Sequence, residues 1–127
     1  MSFWTLSGQR SYAETMSLIA AADVLAMPSR NEGFGLALLE AMALSTPVVA
    51  SDIAVFRELG GEPSVVRLFE PGNATALANA VCAVLTDHAS ARHQAALARE
   101  HFVNNFSHTT MLGAYRSLYA EISSRPQ

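Results

Sequence analysis

Apolar positions change their rhythm several times along this chain, and the changes mark its elements. Val24-Leu25-Ala26-Met27 is a short apolar run without polar alternation, as a strand buried on both faces requires. Pro28 ends it, because proline has no N–H for a sheet ladder. Pro47-Val48-Val49-Ala50-Ser51 reads the same way, after a break at Ser45-Thr46-Pro47. Residues 64–69, half alternating, read as a third strand nearer an edge. Phe3-Trp4-Thr5-Leu6 reads as a further strand that ends at Ser7-Gly8.

Helical spacing fills the intervals. Met16, Ile19, Ala20 and Ala22 predict a helix over 12–22, opened by Ser11 or a neighbour as cap. Strong helix formers from Leu36 predict a helix over 36–45. A short helix over 53–59 would carry Val55, Phe56 and Leu59, with Asp52 as its cap or as a hydrogen-bond partner for a ligand. Leu77, Val81, Val84 and Leu85 share one face of a helix over 74–86. An alanine-rich helix over 88–105 follows, with Cys82 before it read as a core residue. Ser107 or Thr109 would cap the last helix, whose stripe is Leu112, Tyr115, Leu118, Tyr119 and Ile122. That stripe, the two tyrosines included, reads as core packing. Residues 60–63 and 71–73 are turns. Strands alternating with helices predict one α/β domain over 1–127, Rossmann-like, with a parallel sheet flanked by helices. Ligands of such sheets bind outside the carboxyl ends of the strands. The turn 28–35 and the turn after Ser51 both fall at that edge.

Composition narrows the function. Half of the 127 residues are hydrophobic and 15% are charged, enough for a folded core. The eight basic residues are all arginine, and the net charge is −3, so nucleic acid is not an expected partner. One cysteine cannot make an internal disulfide. No apolar stretch approaches a membrane span, and the start lacks a basic leader, so a cytoplasmic protein is expected. His88, His93, His101 and His108 lack metal-ligand spacing; they read as surface, capping or loop residues, and no metal is expected. Gly33-Phe34-Gly35 has Leu38 where a dinucleotide fingerprint needs its third glycine. No lysine is present for a Walker motif, and neither Ser29 nor Ser51 has a nucleophile-elbow context.

The chemistry centres on residues 28–42. Gly33 and Gly35 allow the backbone to turn sharply or lie against a ligand, and a helix opens behind them. Its first N–H groups and its dipole suit a phosphate. Glu32 lies on the turn, and Glu40 lies ~7–8 Å along the helix. A carboxylate beside a phosphate serves best as acceptor for sugar hydroxyls. Phosphates at the helix start with one glutamate per sugar describe a nucleotide-sugar. Arg30 could reach the base or a phosphate or be solvated, and Ser29 could touch the donor.

Glu32-Gly33-Phe34-Gly35-Leu36, then Glu40-Ala41-Met42 and Thr46-Pro47-Val48-Val49-Ala50-Ser51, resemble the donor-binding half of retaining glycosyltransferases of the GT-B fold, the group 1 family. Its signature is two glutamates separated by seven residues, as Glu32 and Glu40 are. Ala21-Ala22-Asp23-Val24, Glu58-Leu59, Pro71-Gly72 and Phe106-Ser107 extend the resemblance, which runs from about Met16 to Tyr119. It implies that Glu32 holds the transferred sugar and is the catalytic residue. Glu40 would hold the ribose, the amides of Gly33, Phe34, Gly35 and Leu36 the diphosphate, and Thr46 would lie close to the nucleotide. It implies no metal and no cofactor beside the nucleotide-sugar substrate. The acceptor, a glycan, lipid or small molecule, would bind an N-terminal domain absent from this chain. In the complete protein the enzyme could sit peripherally at the inner membrane face. The chain is then expected to be the incomplete C-terminal half-domain, from a truncated reading frame or a fragment, inactive alone and prone to self-associate through its incomplete sheet around Phe3, Trp4 and Leu6. The alternatives are a non-catalytic nucleotide-sugar-binding or assembly remnant, and half of a GT-B epimerase or phosphorylase.

Overall fold

The computed structural model describes residues 3–124. Its elements run α1 (Tyr12–Ala21), β1 (Leu25–Met27), α2 (Leu36–Ala43), β2 (Val48–Ser51), α3 (Ala54–Gly60), β3 (Arg67–Phe69), α4 (Ala74–Thr86), α5 (His88–Asn105) and α6 (His108–Ser124). The three strands form one parallel sheet in the order β1-β2-β3. Leu25 pairs with Val48, and Val49 with Arg67, so the three carboxyl ends stay level.

β2 is the centre of the sheet, and all four of its residues are buried. Its pleat sends Val48 and Ala50 to one side, where they join Met27, Leu38, Met42, Phe56 and Leu59. Val49 faces the other side with Phe69, Val84 and Ala91. Two apolar layers on one strand explain why it carries no polar alternation. α2 supplies most of the first layer: Leu38, Ala41 and Met42 are fully buried. Burying a side chain such as Leu38 or Met42 contributes about 1.5–3 kcal/mol. α5 closes in with small residues, Ala91, Ala95 and Ala98, spaced for one helix face. Arg99 Nη1 donates to Ala43 O at 2.7 Å, placing a cation at the carboxyl end of α2.

Most of the expected helices and the three central strands are present, and several expectations are corrected. Residues 3–6 form no strand; Phe3, Trp4 and Leu6 are 90%, 70% and 85% exposed. The described sheet ends at β1, whose outer edge residues 3–6 do not join. β3 is shorter than the apolar run, because Ser64 Oγ bonds to Val66 O and accepts from Val66 N before the ladder begins. Cys82 is exposed, not core. It lies two positions, about 200° round the helix, from the buried Val84. Leu85 is likewise 41% exposed.

A further correction concerns α6. Ser107 caps it, accepting from Thr110 N at 3.2 Å. Yet Leu112, Tyr115, Leu118, Tyr119 and Ile122 are all 40–67% exposed. The periodicity correctly predicted a helix but not its burial. α6 packs mainly on α5, and the sheet's layers are already covered by other helices. His88 and His108 open α5 and α6 rather than lying in loops. No helix among the described residues is long and apolar enough to cross a membrane.

Candidate functional site

The carboxyl edge of the sheet gathers three loops: residues 28–35 after β1, 52–53 after β2 and 70–73 after β3. They are stitched together. Ser51 Oγ, fully buried, donates to Met27 O at 3.3 Å, and Asp52 N donates to Phe69 O at 2.7 Å. The guanidinium of Arg30 lies over the third loop; a Cβ added to Gly72 would meet Arg30 Nη2 at 3.0 Å. Arg30 is exposed and Ser29 half-buried.

The turn itself is built on Gly35. Its φ of 81° lies in the left-handed region, where glycine pays no Cβ penalty. It is the N-cap of α2, and no side chain caps that helix. Leu38 N and Leu39 N both donate to Gly35 O, at 3.1 and 3.2 Å. The residues before them, Leu36 and Ala37, open the helix toward the loop edge. Gly33 has open space around it, with nothing within 4 Å of a Cβ built there. Glu32 and Phe34 are exposed, Phe34 by 62%. The first amides of α2 therefore have no capping side chain, and the positive end of its dipole faces the same way.

Glu40 sits elsewhere than Glu32. It is half-buried and lines a groove of about 770 Å³ among α1, α2, α5 and α6. Phe34 and Leu36 form one lip of that groove, so the turn and the groove are continuous. Glu32 stays outside on the turn. Of the two carboxylates, only that of Glu40 lines the groove. Tyr12, Asn105 and Thr110 also reach the groove, and sequence reasoning missed all three. They come from distant elements, and nothing in their local sequence marks them.

Two candidates move. Thr46 is 2% exposed, and its hydroxyl donates to Ile19 O at 2.8 Å. It lies before the amino end of β2, where Pro47 O accepts from Leu25 N, on the opposite edge from the turn. Its hydroxyl ties β2 to α1 instead of facing a nucleotide. Asp52 does not cap α3, whose N-cap is Ile53 without a side-chain bond. It pairs with Arg57 Nε at 3.0 Å on the surface. His101 is not a surface residue either: its ring packs over Gly61 and edge-on to Phe106, with Nε2 buried. Among the described residues no group of three or more His, Cys, Asp or Glu is placed to hold a metal ion.

This turn-and-helix site on a parallel sheet defines a class, and comparison with known proteins supplies its family. The family described as glycosyl transferases group 1 matches residues 4–101. The chain belongs to that family. Glycogen synthase of Mycobacterium tuberculosis is 35% identical over 114 residues, 88% of this chain and 27% of that protein. A phosphatidyl-myo-inositol mannosyltransferase of Mycobacterium leprae is 42% identical over 79 residues, 61% of this chain and 21% of that one. The chain thus spans about a quarter of the length of these curated relatives. Among solved structures, sucrose-phosphate synthase from Thermosynechococcus elongatus superposes with a TM-score of 0.79 at 35% identity, covering 92% of this chain and 30% of that one. Anabaena HepE in complex with UDP and glucose gives 0.78 at 27% identity, covering 94% and 31%. The α/β fold with its parallel sheet is that of GT-B glycosyltransferases.

Proposed function

We propose that this chain forms the donor wall of a glycosyltransferase that moves a sugar from a nucleotide-sugar to an acceptor with retention of configuration. The observation that carries the reading is the start of α2: a left-handed Gly35, no capping side chain, and Arg30 on the same edge. Those amides take the diphosphate and stabilise its charge as the nucleotide leaves. Arg30 adds a counter-charge beside them. Glu32, on the open turn, accepts hydrogen bonds from the transferred sugar. Glu40, in the groove, accepts from the ribose, with Phe34 and Leu36 as apolar wall for the nucleoside. Ser29 borders the site. A solved neighbour at 28% identity was crystallised with UDP-glucose, which supports a nucleotide-sugar of this kind.

The acceptor wall would come from polypeptide outside these residues. Closing two walls excludes water and orients the acceptor, and orientation accounts for several kcal/mol of a barrier. The chain alone should therefore transfer no sugar and bind donors only weakly, near the millimolar range, about −4 kcal/mol. No metal takes part in this proposal, since amides and a cation answer the leaving charge.

The test has two arms. Titrating the chain with uridine, adenosine and guanosine diphosphate sugars, followed by NMR, should move the amides of Gly33, Gly35 and Leu36. In a protein that includes the acceptor wall, transfer should survive a chelator and give a product of unchanged anomeric configuration. Shifts confined to other regions, or abolition by chelator with rescue by Mn²⁺, would count against the reading.

A further inference from the structure

Gly35 has no side chain with which to hold itself, yet it is buried. The three nearest atoms to a Cβ placed there are Leu59 Cδ1 at 2.8 Å and Phe56 Cε1 and Cδ1 at 3.3 and 3.6 Å. Both residues belong to α3 and are themselves buried, Phe56 fully and Leu59 to 6% exposure. Neither lies at the surface that a nucleotide would touch. We infer that Leu59 and Phe56 are positioning residues: they form the floor beneath Gly35 and so set where the first amides of α2 point. The inference rests on the reading that those amides bind the diphosphate.

α3 is suited to that task because both of its ends are fixed. Just before its first turn, Asp52 N donates to Phe69 O of β3 at 2.7 Å. At the other end a Cβ on Gly60 would meet Ser64 Oγ at 2.8 Å and Val66 Cγ2 at 2.9 Å, so the helix end lies directly on the segment leading to β3. His101 of α5 covers Gly61, with Cε1 2.7 Å from a Cβ built there. A helix wedged in this way cannot slide without moving the floor under Gly35. Amide donors act on a phosphate through direction as well as distance, so a shift of well under an ångström at Gly35 would be felt by the ligand.

The experiment uses the ¹⁵N-labelled chain, titrated with UDP and uridine, ADP and adenosine, and GDP and guanosine. Leu59→Ala should weaken the best-bound diphosphate about tenfold while leaving its nucleoside within about twofold. The resonances of Gly33, Gly35 and Leu36 should shift in the ligand-free variant, and Leu59→Met should restore both affinity and spectrum. Leu59→Val removes less volume and should fall between, which keeps the test decisive where the alanine variant does not fold. Equal loss for diphosphate and nucleoside would overturn the positioning role, as would an unchanged diphosphate affinity in a folded variant. If the unaltered chain binds no diphosphate at all, the donor-site reading fails and the inference with it. If it binds one and the Leu59 variants do not discriminate phosphate, the inference alone fails.

Discussion

α1 and α2 begin in opposite ways. α1 is closed by a capping box: Ser11 Oγ accepts from Glu14 N at 3.2 Å, and Glu14 Oε2 accepts from Ser11 N at 2.9 Å. α2 starts at a left-handed glycine with no side chain to satisfy its amides. The packing runs the other way. α1 buries only Ile19, whereas α2 buries Leu38, Leu39, Ala41 and Met42. A helix of ten residues with one buried contact depends on its cap, since short helices are marginal in water. A helix pinned by four buried side chains does not need one. The comparison teaches where a fold can spare its amides: at the helix already held by the core.

Replacing Gly35 should break this contrast most severely. Gly35→Ala adds left-handed strain and drives a methyl against Leu59 and Phe56, and should cost about 2–5 kcal/mol of stability. Urea unfolding measures it; a loss below about 1 kcal/mol would mean that the turn is not held as described.

The glutamates come next. Glu40→Ala should weaken bare nucleotide and nucleotide-sugar alike by about 1–3 kcal/mol, roughly 5–150-fold, because it serves the ribose. Glu32→Ala should weaken only the nucleotide-sugar, by a similar amount. Calorimetric titration decides between them, and equal losses of bare nucleotide in both variants would dissolve the division of roles.

At the capped end the effect is smaller and confined to stability. Ser11→Ala should cost about 1 kcal/mol and leave nucleotide affinity unchanged. A shift in affinity would show that α1 is coupled to the site and that the two helix starts are not independent.

The smallest effect is a pH dependence. The backbone N–H of Ser11, and then its hydroxyl, hold the Glu14 carboxyl below its ordinary value of 4.5. A depressed carboxyl contributes stability above its unfolded value, and that contribution fades as pH falls through the folded one. Glu14→Gln should therefore flatten the acid limb of the stability curve slightly, starting just above pH 4.5. The carboxylate is exposed, so screening by salt should shrink the difference further. An unchanged acid limb would mean the carboxylate adds nothing to the cap.

Much of the fold was legible because local chemistry and burial agree there. Pro28 and the glycines bound the strand, turn and helix at 24–43, and β2 announced its burial on both faces by lacking polar alternation. Glu32, Gly33, Gly35 and Glu40 could be singled out from a few adjacent residues, because a helix start and its flanking carboxylates are a local arrangement. Thr46 misled for the complementary reason. A threonine beside Pro47 reads the same whether its hydroxyl faces a ligand or Ile19 O, and Ile19 lies 27 residues earlier. The stripe of α6 misled similarly, since periodicity states that one face is apolar and not that anything covers it.

By itself, the amino-acid sequence determined the order of the helices and of the three central strands, the glycine turn before α2 and the spacing of the two glutamates. These depend on steric limits at glycine and proline and on side-chain periodicity, which act over a few residues. Tertiary structure alone decided that Glu40 enters a groove with Tyr12 and Asn105 while Glu32 stays on the turn. It alone placed Phe56 and Leu59 under Gly35, and took Thr46 to the opposite edge of the sheet. Those outcomes depend on which distant surfaces meet when the core closes, and burial is a property of the whole packed chain.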